Sequence, residues 1–242
     1  MQEKEISLNH DTVFIRVVAF VAMLIDHVGL LFFPRELWLR AIGRIAFPLF
    51  CYGIVFGLVY SKNVKKYALR LFVFALISQY PYMLALNHSI EELNVLFTLL
   101  LGLIAIWGIR ENKYGSRILA PALSLVLSYV ITMDYGFKGV LFIIFAYMCR
   151  QSKQAFAAMM ISFCLYWGTN SINMLYGLFN CESLFCAGLL KSIRPFFQLQ
   201  TLALLALPFI IIDTDSGLKR IKHLGYLVYP GHLLILYFIQ FL

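Results

Sequence analysis

The sequence predicts an all-α protein, a polytopic integral membrane helix bundle of about nine (8–10) transmembrane helices in one domain spanning 1–242. Three observations predict it. Of the 242 residues, 62% are hydrophobic and only 13% are charged, whereas soluble domains average about 45–50% apolar and about 25% charged. The mean hydropathy is +0.82, and apolar runs recur along the whole chain with no polar stretch long enough for a soluble domain. Lys and Arg collect in the short loops between those runs, the distribution expected of cytoplasmic loops.

A spanning helix needs about 20 mostly apolar residues. Spans are expected near 13–33, 41–60, 67–86, 94–110, 118–133, 137–150, 155–175, 196–212 and 224–241. The first run is too long for a signal-peptide core, and no small-residue cleavage site follows it, so it is expected to be retained. Segment 176–190 (YGLFNCESLFCAGLL) is apolar but broken by Asn180, Cys181 and Glu182. It reads as an interfacial or re-entrant piece, or else as a tenth span. With the N-terminus in the cytoplasm, 61–70, 110–117 and 150–153 all fall inside, and the acidic NHSIEE (87–92) falls outside. Nine spans also put SGLKRIKH (216–223) inside.

The formal net charge of +8 suits anionic lipid, the expected bilayer partner. Nucleic acid is excluded as a partner because no basic patch interleaves with aromatics. The five cysteines form no CxxC and have no His partners at metal spacing, so no metal is expected. Cys181 and Cys186 could form a disulfide across an extracytoplasmic loop or stand as two unlinked thiols. No GxSxG, GxxxxGKS/T, HExxH or GxGxxG motif is present.

Function is sought in ionisable residues inside spans, which are costly there and usually face the bundle interior. Asp26 is the only acid well inside an apolar run, and His27 follows it. Arg16 opens the first span, Arg40 and Arg44 open the second, and His232 lies in the last, after Pro230 and Gly231. Arg16 and His27, 11 residues apart, fall within about 20° of each other on one helix face and about 16 Å apart along the axis. A phosphate-binding arginine that far from a base matches the pantetheine arm of coenzyme A; otherwise Arg16 merely snorkels at the interface. Asp26 diverges from His27 by about 100°, so it suits a clasp to Arg40 or Arg44 as well as a catalytic role. Arg40 and Arg44 share a face and repel unless an acid or a substrate anion lies between them. Asn94 with Thr98, and Asn170 with Asn173, have spacings that interhelical hydrogen bonding explains.

The ordered motifs LIDHVG, GRIAFPLFCYGIVFGL, YALRLFVFALISQYPY, LNVLFTLLLGL, MDYGFKGVL and YLVYPGHLLIL resemble the TraX family, bacterial inner-membrane proteins named for acetylation of conjugative pilin. The resemblance covers nearly the whole chain. It departs at DTDSG (213–217), where a YNG-like turn is expected. The family in turn looks related to the acyltransferase-3 transmembrane acyltransferases, whose first-span Arg–x10–His pattern resembles Arg16 and His27, and whose arginine-rich next span resembles Arg40, Arg44 and Pro48. The resemblance implies a membrane acetyltransferase that takes acetyl-CoA from the cytoplasm and an acceptor glycan, polymer or pilin at the far side. In that reading Arg16, Lys65, Lys66 and Arg70 lie near the cofactor phosphates, and Arg40 and Arg44 also bind the cofactor, with Arg44 placed to steady the oxyanion. His27 is the base or nucleophile, with Asp26 beside it, and Asn94 and His232 steady the acceptor or the oxyanion. The alternative is a permease for a small anion, with Arg16, Arg40 and Arg44 along its path.

Overall fold

A computed structural model describes residues 6–168, 198–218 and 224–241. Segment 176–190, Cys181, Cys186, Asn170, Asn173 and the KRIKH run (219–223) lie outside the described residues. The helices are α1 (Thr12–Phe32), α2 (Leu37–Gly43), α3 (Ala46–Tyr60), α4 (Val64–Leu86), α5 (Val95–Glu111), α6 (Ser116–Val130), α7 (Gly136–Met148), α8 (Lys153–Gly168), α9 (Leu207–Ile211) and α10 (Leu224–Ile239), with a 3₁₀ segment at Leu199–Ala206 before α9.

Local chemistry sets most of these ends. Asp11 caps α1 by accepting the Phe14 N–H at 3.0 Å, and Asn63 caps α4 through the Lys66 N–H at 2.9 Å. Asn87 and Asn112 close α4 and α5 in the left-handed conformation, at φ 54° and 48°, which Asn adopts more readily than most residues. The expected span 41–60 is one apolar stretch but two helices. Pro48 lacks an N–H and is tolerated only in the first turn of a helix, so α2 ends at Gly43 and α3 starts at Ala46. Pro208 stands in the same way at the start of α9. The expected span 196–212 is therefore a 3₁₀ segment followed by five α-helical residues rather than one continuous helix.

Among the described residues three stretches are long and apolar enough to cross a membrane: Thr12–Phe32, Leu37–Tyr60 through its break, and Val64–Leu86. Other apolar helices are shorter, such as α6 with 15 residues and α7 with 13. At 1.5 Å per residue, 15 residues reach only about 22 Å, less than the ~30 Å hydrocarbon core. The expectation of about nine spans thus narrows to three of full length among the described residues, with turn and capping residues ending α5, α6 and α7 short of that length.

α3 is the central element. Phe47, Leu49, Cys51, Tyr52, Val55 and Leu58 are almost completely buried along it, and it packs on α1, α5, α7 and the 3₁₀ segment. α5 lies beside it, against α4, α6 and α7, while α10 packs across α4 and α1. The outward faces of α1, α4 and α6 expose Val21, Leu69, Leu76, Leu123 and Val126, apolar surface suited to lipid. At one end of the bundle the α4–α5 and α6–α7 loops are tied together: the Leu93 N–H donates to Thr132 O at 3.0 Å and the Asp134 N–H to Leu93 O at 2.9 Å.

Asn94 belongs to this framework. It is fully buried, caps α5 through the Leu96 N–H at 3.0 Å, and donates its amide to Ala75 O and Gln79 Oε1, each at 2.8 Å. Thr98, one turn on, donates to Asp134 O at 2.5 Å. Asn94→Ala removes a cap and both side-chain amide bonds to α4, so it should cost about 2–3 kcal/mol, measurable as a lower unfolding midpoint in detergent.

Candidate functional site

Two cavities lie one behind the other along the bundle. The first, of about 440 Å³, opens beside α2 and is lined by Asp26, His27, Arg40, Arg44, Tyr82, His88, Glu92, Asp134 and Tyr135, with apolar walls from Met23, Phe47 and others. The second, of about 370 Å³, is lined by Thr12, Arg16, Tyr60, Ser61, Tyr67 and Arg70. Phe50, Val95 and Tyr229 line both and form the partition between them. α1 runs unbroken past both cavities, so Arg16 at one and His27 at the other stay about 16 Å apart by helical rise.

In the first cavity Asp26 is the electrostatic centre. Arg44 Nη2 donates to both of its carboxylate oxygens, at 2.7 and 2.8 Å, and Arg40 Nη1 donates to Oδ2 at 3.1 Å. Arg44 is further held by Gln200 Oε1 at 3.3 Å and by the Arg40 carbonyl at 3.3 Å. Both arginines are free to point inward because α2 ends at Gly43, and Gly43 itself makes the approach possible. A Cβ built there would meet Asp26 Oδ1 at 2.1 Å and its Cβ at 2.3 Å. Asp26 thus links α1 to α2 and supplies the anion that the Arg40/Arg44 pair requires.

His27 points elsewhere. Its Nδ1 lies 2.7 Å from Nε2 of His232 in α10, and His232 Nδ1 lies 2.8 Å from Val228 O. His232 is 8% exposed and sits behind His27, away from the cavity wall. Arg70 joins Arg16 on the second cavity, whereas Lys65 and Lys66 are exposed at the start of α4, outside that wall.

Sequence reasoning did not single out His88, Glu92, Asp134 or Tyr135 as site residues. His88 pairs with Glu92 and stacks on Tyr82, with centroids 4.7 Å apart and planes at 8°. Tyr135 has φ 64° and is followed by Gly136 at φ 41°. A bulky left-handed residue costs about 1–3 kcal/mol, and the stack of its ring on Phe47 at 3.8 Å holds it there. The usable signal was an aspartate next to Tyr-Gly in a turn between two apolar runs. Asp134 lies in that turn, outside the helices, and burial pushes its carboxyl up to about 6.

A family model, TraX protein, matches residues 12–240, and the chain belongs to the TraX family. It is 33% identical over 142 residues to a protein of Dichelobacter nodosus named probable fimbrial assembly protein FimC, serogroup H1, covering 53% of this chain and 58% of that one. It is 29% identical over 165 residues to Protein TraX of Escherichia coli, covering 66% and 64%. The chain thus matches about three fifths of the length of these curated relatives. No solved structure matches it.

Two outcomes check this geometry. Asp26→Asn leaves two partly buried guanidinium groups facing a neutral amide and should cost about 3 kcal/mol, read as a strongly lowered melting transition in detergent. For Asp134 the unfolded chain releases its proton near the ordinary 3.8, the folded chain only near 6. Folding stability should therefore fall as pH rises from about 4 to about 6. Asp134→Asn should abolish that fall and raise the midpoint at pH 7.5 by about 2–4 °C.

Proposed function

We propose that this member of the TraX family is a membrane acetyltransferase that moves an acetyl group from cytoplasmic acetyl-CoA to a hydroxyl or amine on an envelope glycan, polymer or pilin. The observation that carries the reading is the pair of cavities on either side of one partition, with Arg16 and Arg70 in one and His27 beside the Asp26–Arg40–Arg44 cluster in the other. Arg16 and Arg70 suit the phosphates of coenzyme A, and the pantetheine arm is long enough to bring the thioester past Phe50, Val95 and Tyr229 toward His27. The basic loops 61–70, 110–117 and 150–153 all belong at the Arg16 end of the bundle. They support a cytoplasmic face there, with the N-terminus inside and the protein in the bacterial cytoplasmic membrane. The name of the Dichelobacter relative, a fimbrial assembly protein, favours a pilin among the acceptors.

In this mechanism neutral His27 takes the proton of the acceptor hydroxyl or amine as that atom attacks the thioester carbonyl. The C–S bond then breaks, and the proton passes to the coenzyme A thiolate. An acetyl-histidine intermediate is the variant route. Asp26 stays out of the proton transfer. Its carboxylate holds Arg40 and Arg44, whose positive edges on the cavity wall can stabilise the developing oxyanion.

Membranes containing the protein, given labelled acetyl-CoA, should transfer label to a macromolecule, and His27→Ala should lower that transfer by roughly 10²–10⁴-fold without loss of the folded protein. Arg16→Ala or Arg70→Ala should raise the KM for acetyl-CoA about tenfold with kcat nearly unchanged, the pattern of lost uniform binding. Full activity of His27→Ala would sink the mechanism. Because stacked cavities also suit a permease, flux of a small anion into liposomes without acetyl-CoA would favour transport instead.

A further inference from the structure

His27 and His232 are 205 residues apart in sequence, yet their rings meet in line. The ring planes differ by 3° and the centroids are 5.0 Å apart. That separation equals the 2.7 Å bond plus about one ring diameter, so the rings lie edge to edge in one plane rather than face to face. The hydrogen between them therefore points along the partner ring's lone pair, the favoured direction for such a bond.

The second bond of His232 decides the protonation pattern. Its Nδ1 faces the Val228 carbonyl, and a carbonyl oxygen can only accept, so this nitrogen carries the hydrogen. A neutral imidazole has one donor and one acceptor nitrogen, so His232 Nε2 is a lone pair and accepts from His27 Nδ1–H. By the same rule His27 Nε2 is a bare lone pair, and His27 is the member of the pair that lines the cavity. Asp26 cannot set this arrangement, because its oxygens are taken by Arg40 and Arg44.

We infer that His232 is a positioning residue: it holds His27 in the Nδ1–H tautomer and presents the Nε2 lone pair to the cavity where the acceptor binds. The inference rests on the acetyl-transfer reading for its catalytic consequence, but its geometry does not. When Nε2 gains the acceptor's proton, the Nδ1–H is already bonded to His232 Nε2. Positive charge is then shared across two rings, and the Val228 carbonyl, accepting the His232 Nδ1–H, stabilises it. A carboxylate would orient the ring too, but it would add a charge inside the bundle that needs its own partner. An imidazole orients it without one.

The test is ¹⁵N NMR of histidine-labelled protein in lipid vesicles, with no acceptor present, together with labelled acetyl transfer. His232→Gln keeps a side-chain oxygen that can accept from His27 Nδ1–H; His232→Ala does not. The wild type should show His27 protonated at Nδ1, His232→Gln should retain that form, and His232→Ala should shift it to Nε2–H or a mixture. Transfer should fall by roughly 100-fold in kcat for His232→Ala at unchanged KM for acetyl-CoA, and should stay within about tenfold of wild type for His232→Gln. Wild-type His27 protonated at Nε2 would overturn the inference, as would equal losses in the two variants. The expected tautomer in a wild type that transfers acetyl to nothing would support the pairing and remove the acetyl-transfer reading instead.

Discussion

One ion cluster governs the rest: the Asp26 carboxylate shared by Arg44 and Arg40. Its value lies in position rather than in net stability, because removing charges from water cancels much of the attraction between them. The cluster fixes α2 against α1 at Gly43, where no other residue could stand without displacing the carboxylate. Once α1 is held with Asp26 on that side, His27 follows one residue later and about 100° around. That turn carries its ring away from the arginines and toward α10. A single clasp therefore aims two neighbouring side chains at two different partners.

The same division runs through the whole bundle. Asp26, His27 and His232 project from within α1 and α10, and the rest of the polar chemistry lies at helix ends and breaks, where backbone groups have already left their regular partners. Arg44 sits at the α2–α3 break, Asp134 and Tyr135 sit in the turn before α7, and Arg70 lies near the start of α4. Between them the central α3 is packed apolar side chains, and Phe50 from it helps close the partition. A thioester that reaches this partition would leave water while its phosphates stayed beside the basic end.

What could be read from the sequence was local. The shared face of Arg16 and His27, the divergence of Asp26 from His27, and the need of Arg40 and Arg44 for an anion all follow from helical angles within a few turns, and the ion pairs bear out that need. The membrane character was equally plain in composition. The histidine pair was not legible, because nothing local in α1 or α10 encodes a bond across 205 residues. The cavity's loop residues were missed for a related reason. His88, Glu92 and Asp134 read as ordinary exposed loop residues until the backbone bonds between Leu93, Thr132 and Asp134 fold the two loops onto the cavity. For Asn94 the interhelical hydrogen bonding expected from its spacing is present: its amide reaches α4 at Ala75 and Gln79 while its oxygen caps α5.

The charge balance of the first cavity follows from these placements. Asp26, Arg40 and Arg44 together carry one net positive charge. The nearest groups that can offset it are in the loops, and Asp134 acts electrostatically on Arg44 from there. With its carboxyl pushed up to about 6 by burial, Asp134 is ionised at neutral pH and brings the four-residue set to zero, and it is protonated in mild acid, leaving the set at +1. Arginine keeps its charge throughout this range, so Asp134 adds a pH-dependent part to the clasp's fixed charge. An oxyanion forming beside Arg40 and Arg44 would thus meet a wall whose fixed part is built into the helices. The adjustable part lies on a turn held in place by two backbone hydrogen bonds and a strained tyrosine.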